Sequence, residues 1–203
     1  ELHRYYGNPK NKLWVIYSDI NVRKNIKDYQ KIKNHLERFK KVITSDFKPY
    51  GLHRAREQRF FEGEKIISLR KTPEPYFTYT NFPCYVTQTY FIIKPEDINL
   101  KFLTGLLNSK LIHFWLRYKG KKQGEQLQID KAPLLEIPLI KQEDEQIIKN
   151  VDLIIELSKR LESINLDREK EIIKKQIEAL EKQIDDIIYK LYGITKAEQE
   201  IIE

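Results

Sequence analysis

Residues 103–139 read LTGLLNSKLIHFWLRYKGKKQGEQLQIDKAPLLEIPL. In the first half of this segment apolar side chains recur at steps of three and four, the spacing of one helix face. The residues of this series are Leu103, Leu107, Leu111, Phe114 and Tyr118. Asn108 and Ser109 interrupt the series, and serine is a residue type that caps a new helical turn. We therefore expect an apolar helical anchor with a fresh turn after Ser109.

A basic, amide-rich loop follows at residues 119–126, with glycine at positions 120 and 124. Glycine allows a backbone to approach a ligand closely, at a cost in rigidity. The apolar residues 133–139 then predict a short return strand that Pro138 ends. Together these features indicate a flexible loop that presents side chains to a polar, negatively charged ligand. The alternative is a solvated turn that only connects two core elements.

Positive charge is concentrated in the first two thirds of the 203-residue chain. Residues 1–140 carry 26 Lys+Arg against 14 Asp+Glu, and residues 141–203 carry 11 against 16, which gives formal charges of +12 and −5. A basic part joined to an acidic part indicates a polyanionic partner for the basic part alone. The other interpretation is a basic surface that is merely solvated.

The cysteine content and the hydropathy indicate the cellular compartment of the protein. Cys84 is the only cysteine, so the chain can form neither an internal disulfide nor a cysteine-based metal site. No apolar run approaches the roughly 20 residues that span a bilayer, and no signal peptide is visible. We therefore expect a cytoplasmic protein without a membrane partner. Because methionine is absent, we also expect the sequence to be a piece of a longer protein.

Residues 1–102 predict a mixture of strands and one helix. Residues 13–17 are β-branched and aromatic, which predicts a buried strand. An amphipathic helix is predicted over residues 29–43, where apolar side chains recur at steps of three and four. Aromatic and β-branched residues predict further strands at residues 65–70, 76–80 and 84–93.

The last third predicts two long helices. Apolar residues recur there at heptad spacing, namely Ile147, Val151, Ile154 and Leu161 in a first arm and Ile173, Ile177, Leu180, Ile184, Ile187 and Leu191 in a second. Gly193 is suited to end the second helix, and Thr195 with Glu198 matches a capping box for a last turn. The apolar seam requires a partner, which is the other arm, another domain of the parent protein or another subunit.

The predicted fold class is therefore α+β. We expect a mixed, mostly antiparallel sheet with packed helices in residues 1–140, followed by a coiled-coil-like antiparallel helical hairpin in residues 141–203. The first part would form the binding domain, and the second a spacer or docking element.

Arginine, lysine and glutamine side chains supply candidate contacts to a nucleic acid. Arginine bonds phosphate or guanine with two parallel hydrogen bonds, and the glutamine amide pairs with adenine N6 and N7. The candidates are His53, Arg54, Arg56, Arg59, Arg70, Lys71, Lys119, Lys121, Lys122, Gln123, Gln126 and Gln128. For the cluster at residues 53–59, the alternative is ion pairing within the chain with Glu57, Glu62 and Glu64.

Signatures of catalysis are missing from the sequence. The glycines are scattered and form no cofactor loop, and Asn8-Pro9 is followed by lysine instead of the Pro-Tyr/Phe of an adenine methyltransferase. The histidines lack metal-ligand spacing. We therefore predict a binding module with no catalytic, cofactor-binding or metal-binding residues. A small nuclease that uses Asp28 and Asp46 is a third, weaker interpretation.

Several strings together carry a resemblance to a known family. They are GLHRAR at 51–56, FEGEKI at 61–66, LNSK at 107–110, KGK at 119–121, QLQI at 126–129, LEIP at 135–138 and the tail IDDIIYKLYGI at 184–194. In this order they resemble the TaqI-like C-terminal specificity domain of N6-adenine DNA methyltransferases and fused type IIG restriction-modification enzymes. The resemblance covers almost the whole chain.

The resemblance implies a target recognition domain that recognises double-stranded DNA while the target adenine is flipped out. It further implies an N-terminal methyltransferase domain in the same polypeptide, which would hold S-adenosylmethionine and which an endonuclease activity can accompany. The family's catalytic and cofactor-binding residues have no counterparts here. The competing function is a protein-interaction scaffold that uses the heptad helices.

The missing cofactor loop generates a first prediction. The 203-residue chain is expected not to bind S-adenosylmethionine in a calorimetric titration, because no glycine-rich loop is present to hold it. Saturable binding of the cofactor would contradict this interpretation.

Overall fold

The computed structural model describes residues 2–10, 13–52, 55–140 and 142–203, and for Gln123 the backbone alone. The chain forms two compact units. The larger unit comprises Glu1–Pro9 and Phe61–Glu203, and the smaller unit is Lys10–Phe60. We describe each unit by itself.

The regular elements are short before residue 100 and long after residue 144. The strands are β1 (Tyr5–Tyr6), β2 (Lys65–Leu69), β3 (Lys71–Thr72), β4 (Phe77–Thr80), β5 (Tyr90–Ile93), β6 (Lys121–Gln123) and β7 (Gln126–Gln128). The helices are α1 (Ile20–Lys24), α2 (Gln30–Glu37), α3 (Leu100–Leu107), α4 (Lys110–Lys119), α5 (Lys131–Leu135), α6 (Glu145–Ser163), α7 (Asp167–Leu191) and α8 (Lys196–Ile202).

A four-stranded sheet in the order β1-β4-β2-β5 lies at the centre of the larger unit. Strand β1 is parallel to β4, and the other two pairings are antiparallel. The central strand β2 is almost completely buried, and Ile66 lies opposite Tyr79 on one side and Ile93 on the other. The strands predicted at residues 65–70 and 76–80 are thereby confirmed, with slightly shorter bounds.

The strand predicted at residues 84–93 is only half right, because β5 begins at Tyr90. Its pairing with β2 ends at Leu69 opposite Tyr90, where the chain of β2 turns into β3. One more backbone hydrogen bond follows, from the Arg70 N–H to the Thr89 carbonyl at 2.9 Å, and residues 84–88 lie beyond the end of the partner strand. In this segment the Tyr85 ring instead stacks on Phe61, with 4.6 Å between the ring centroids.

The predicted break between two helices at Asn108 and Ser109 is confirmed. The Ser109 hydroxyl accepts a hydrogen bond from the Ile112 backbone N–H and so caps α4. The Asn108 side chain is buried and bonds the backbone of β4 with both of its amide groups. Its Oδ1 accepts from the Phe77 N–H at 2.9 Å, and its Nδ2 donates to the Phe77 carbonyl at 2.7 Å. The break in the helix is thus also its attachment to the sheet.

The C-terminal helical hairpin is confirmed, and α6 and α7 pack together. Their antiparallel arrangement follows from the three-residue link and from a 3.3 Å hydrogen bond between Asn150, early in α6, and Gln183, late in α7. At the other end, Gly193 has a φ of +66° directly after α7, and Thr195 with Glu198 forms the predicted capping box of α8. Among the described residues, no helix is long and apolar enough to cross a membrane.

The apolar seam of the hairpin finds its partner within this chain. Helix α3 packs against α6 and α7 at Gly105, where a Cβ atom would lie only 2.6 Å from Ile147 and 3.1 Å from Val151. Ile184 of α7 is fully buried in the same cluster. The hairpin lies in the same compact unit as the sheet. The domain boundary proposed at residue 140 stays a prediction.

One prediction for the smaller unit is wrong, and a second holds only in part. Residues 13–17 form no strand, and Leu13 and Trp14 are 86 % and 95 % exposed. The predicted helix over residues 29–43 shortens to α2, which ends at Glu37. The described residues of α2 include no buried side chain, so no packing extends the helix into the β-branched residues 42–44, which disfavour it.

The return strand predicted at residues 133–139 is also wrong, because this segment begins with helix α5. Pro133 lies in the first turn of that helix, where a backbone N–H has no intrahelical partner to lose. The Pro133 carbonyl instead accepts a hydrogen bond from the Trp115 indole N–H at 3.2 Å.

The burial of Ile184 generates the second prediction. Ile184→Ala is expected to lower the free energy of unfolding by about 2–5 kcal/mol, because it leaves a cavity at the contact of α3, α6 and α7. Ile172→Ala is the matched control, since Ile172 lies in the same helix and is 52 % exposed. It is expected to change stability by about 0.5 kcal/mol or less. Urea denaturation measures both, and equal losses would contradict the packing described here.

Candidate nucleic-acid interface

The polar segment after α4 is an ordered β-hairpin and not the flexible loop that the sequence predicted. Strands β6 and β7 pair around a two-residue turn, and β3 adds to β7, so the sheet has the order β3-β7-β6. Gly124 in the turn has a φ of +63°, a conformation that tight hairpin turns require and that glycine adopts without strain. The signal for this hairpin in the sequence is Gly124-Glu125 between two short segments, the second of which alternates polar and apolar residues as Gln126, Leu127 and Gln128.

One face of this sheet carries a row of polar side chains. Lys71 and Lys121 both lie directly opposite Gln128, on β3 and β6 respectively, and directly opposed residues point to the same face. Gln126 is two residues before Gln128 and shares that face. We call these four residues the hairpin face. Lys71, Lys121 and Gln126 are exposed, and Gln128 is half-buried.

The opposite face of the sheet is held against α4. Leu127 and Thr72 are buried there. The contact is close at Gly120, where a Cβ atom would lie 2.8 Å from Leu127 Cδ1 and 3.2 Å from the Gln128 carbonyl oxygen. Only glycine fits between the end of α4 and β7. The hairpin face is therefore presented to solvent on a sheet whose other side is fixed.

Asp130 lies beside the hairpin face and was missed in the sequence, although a residue two positions after Gln128 is expected on the same side. Its carboxylate accepts a hydrogen bond from Gln128 Nε2 at 2.9 Å, and its other oxygen lies 3.5 Å from Lys121 Nζ. The Gln128 hydrogen bond, followed by the charges of Lys121 and Arg70, lowers the pKa of Asp130. Asp130 is therefore ionised at neutral pH.

Arg70 borders the same region. Its guanidinium group lies over the Phe91 ring at 4.7 Å, and its backbone carbonyl accepts from the Ile129 N–H at 2.8 Å. The backbone bond continues the pairing of β3 with β7 by one residue. Of the residues that the sequence suggested, the structure thus brings six together around the hairpin, and they are Arg70, Lys71, Lys121, Lys122, Gln126 and Gln128.

A cleft of about 290 Å³ lies between the hairpin and α4. His113 and Arg117 line it from successive turns of α4, Lys122 lines it from β6, and Glu74 lies at its wall. We call it the hairpin cleft. Burial lowers the pKa of His113, so Arg117 and Lys122 are the cations of the cleft at neutral pH. The i, i+4 spacing of His113 and Arg117 is the sequence signal that predicts their common face.

The remaining candidates differ in their surroundings. Lys119 pairs with Glu136 at 3.3 Å and lies over the Trp115 ring. Arg56 and Arg59 belong to the smaller unit. Arg59 lies 2.8 Å from Glu57, as the ion-pair interpretation of this cluster predicted. His53 and Arg54 lie outside the described residues, and so does the side chain of Gln123.

The nuclease interpretation finds no further ligands. Asp28 ends a 3₁₀ turn, Ile26–Asp28, and Asp46 lies in a turn. In the part of the chain that the structure describes, no group of three His, Cys, Asp or Glu side chains is placed to hold a metal ion.

A comparison with known protein families identifies the family of this chain. Residues 18–139 match the model of the TaqI-like C-terminal specificity domain, from the smaller unit to the end of the segment after α5. The tail string that we compared with the family lies outside this match. No curated protein matches the chain. Because the matched region covers more than half of the 203 residues, the chain belongs to the family of TaqI-like C-terminal specificity domains, which provide DNA recognition in restriction-modification enzymes.

Proposed function

We propose that the chain recognises a specific duplex DNA sequence through the hairpin face and the hairpin cleft. It would serve as the target recognition domain of an S-adenosylmethionine-dependent N6-adenine DNA methyltransferase, alone or fused to an endonuclease. The observation that carries the proposal is the row Lys71, Gln128 and Lys121 on the exposed face of a sheet whose other face packs on α4.

The dimensions of the hairpin suit the major groove of DNA. That groove is about 12 Å wide and admits a two-stranded β-ribbon. Strand β3 pairs only with Leu127 and Gln128, so the end of the hairpin from Gln123 to Gln126 extends beyond it as two strands. At about 3.3 Å per residue, three-residue strands extend about 10 Å. The hairpin end would enter the groove while β3 stays at its edge.

The charged side chains and the amide side chains have different roles in this proposal. Lysine and arginine contacts to phosphate position a protein on DNA but carry no sequence information. We assign this role to Lys71, Lys121, Lys122 and Arg117. The amides of Gln126 and Gln128 carry both a donor and an acceptor, as adenine does at N6 and N7. They would discriminate between base pairs.

The helical hairpin would set the position of the catalytic domain of the parent protein. A shallow groove of about 450 Å³ runs along α6 and α7, and Leu153, Leu157 and Leu180 line it. Leu153 is 47 % exposed, whereas its neighbour Ile154 is buried in the seam. This groove favours the second candidate function, a protein-interaction surface, and the two functions are compatible because they use different residues.

DNA binding by the 203-residue chain tests the proposed function. If the four cations assigned above neutralise about four phosphates, the logarithm of the affinity is expected to fall with the logarithm of salt concentration at a slope of about −3 to −4. Lys121→Ala with Lys122→Ala is expected to weaken binding to every sequence and to reduce that slope by up to about 2. Fluorescence anisotropy with labelled duplexes measures both quantities.

The control removes the same charge elsewhere. Lys174→Ala with Lys182→Ala changes two exposed lysines of α7, and both pairs of substitutions lower the net charge equally. The control is expected to leave the salt slope within the error of the wild-type value. If the two double variants had equal effects, DNA binding would depend only on the net charge of the protein. The β-hairpin would then be excluded as the binding surface.

A further inference from the structure

We propose that Asp130 is a positioning residue for sequence recognition. It holds the Gln128 amide in the one orientation that presents an adenine-specific edge to DNA, without contacting the DNA itself. This inference rests on the proposed function, because it names the base that one side chain of the DNA-binding surface selects.

The hydrogen bond between the two residues permits only one orientation of the amide. An ionised carboxylate only accepts hydrogen bonds, so Asp130 can bond the Nε2 group of Gln128 and not its Oε1 atom. The observed contact is Nε2 to Oδ1 at 2.9 Å. A rotation of the amide by 180° would place Oε1 against the carboxylate and would replace attraction by repulsion. An isolated glutamine amide has no such preference.

The orientation leaves a defined recognition edge. Nε2 carries two hydrogens, and one of them is used by Asp130. The other hydrogen and Oε1 remain for the ligand, as a donor beside an acceptor. Adenine offers the complementary pair, N7 as acceptor and N6 as donor, whereas guanine offers two acceptors at N7 and O6. The held amide therefore favours adenine over guanine.

The other oxygen of Asp130 is held as well. Lys121 Nζ lies 3.5 Å from Oδ2, and Lys121 is the cross-strand neighbour of Gln128. The carboxylate thus contacts both Lys121 and Gln128, which lie opposite each other on β6 and β7. Both Asp130 and Gln128 are half-buried, which limits their exchange with water.

Helix capping, an ordinary structural role for an aspartate at this position, does not account for this geometry. Asp130 occupies the N-cap position of α5, where an aspartate usually accepts hydrogen bonds from the first backbone N–H groups of the helix. Its side chain makes no such capping bond and turns to Gln128 instead. A carboxylate next to a DNA-binding face also repels phosphate. Asp130 thus gives up the capping hydrogen bonds of α5 and weakens the attraction for DNA. We infer from these two costs that its role is in recognition.

Two substitutions at one position separate charge from hydrogen bonding. Asp130→Ala and Asp130→Asn remove the same negative charge, but asparagine keeps a side-chain oxygen that can accept from Gln128 Nε2. Selection of bound duplexes from a randomised library by the 203-residue chain, followed by sequencing, measures base preference. Anisotropy with an unselected duplex measures non-specific affinity.

The expected pattern differs between the variants. Both are expected to bind an unselected duplex somewhat more tightly than wild type, and equally so. Asp130→Ala is expected to lose about tenfold or more of the preference for adenine at one position, the same position that Gln128→Ala affects. Asp130→Asn is expected to keep most of that preference. The double variant Asp130→Ala with Gln128→Ala is expected to match Gln128→Ala alone.

Each contrary result has its own meaning. If Asp130→Ala and Asp130→Asn keep the same base preference as wild type, Asp130 acts only through its charge and the inference is overturned. A second contrary result is that Asp130→Ala lowers the melting temperature, while Asp130→Asn stays folded and still loses the preference for adenine. The hydrogen bond would then not position the amide, and the inference would fail as well. If the wild-type chain binds no duplex, the proposed function itself fails.

Discussion

The buried Asn108 side chain fixes the corner on which the larger unit depends. Its two hydrogen bonds to Phe77 attach the end of α3 to β4, and a buried amide that lost both partners would be strongly destabilising. At the next turn the Lys110 backbone N–H donates to the Asp185 carboxylate of α7 at 2.9 Å. The direction of α4 is thereby set by the sheet on one side and by the helical hairpin on the other.

The position of the candidate DNA-binding surface follows from that corner. Helix α4 carries the β-hairpin, because Gly120 allows Leu127 to pack directly on the end of the helix. A surface that is ordered before it meets its ligand loses less conformational entropy on binding than a flexible loop. The acidic helices bury their apolar seam against α3, and the basic hairpin keeps one polar face in solvent. Leu127 and Thr72 thus pack on one face of the short sheet, and the hairpin face on its other side is left for the ligand.

Much of the architecture was predictable from local patterns in the sequence. The helices around Asn108, the hairpin of α6 and α7, the C′ glycine at position 193 and the capping box at Thr195 all follow from periodicity and capping, which act within a few residues. Apart from the helix predicted over residues 29–43, which ends early at Glu37, the errors fall on strands. Residues 13–17 have strand composition but form no strand, whereas residues 121–123 lack it and still form one, because a strand exists only where a partner strand is paired with it.

The sequence by itself determined the fold class, the separation of a basic part from an acidic helical part, and the residue types from which a DNA contact can be built. Only the tertiary structure decided which of those residues meet. Lys71 reaches Gln128 across 57 positions of sequence, through the register of β3 with β7. The contact of Lys121 with Asp130, next to Gln128, depends on the register of β6 with β7. Such contacts depend on the register between paired strands, which local periodicity does not encode.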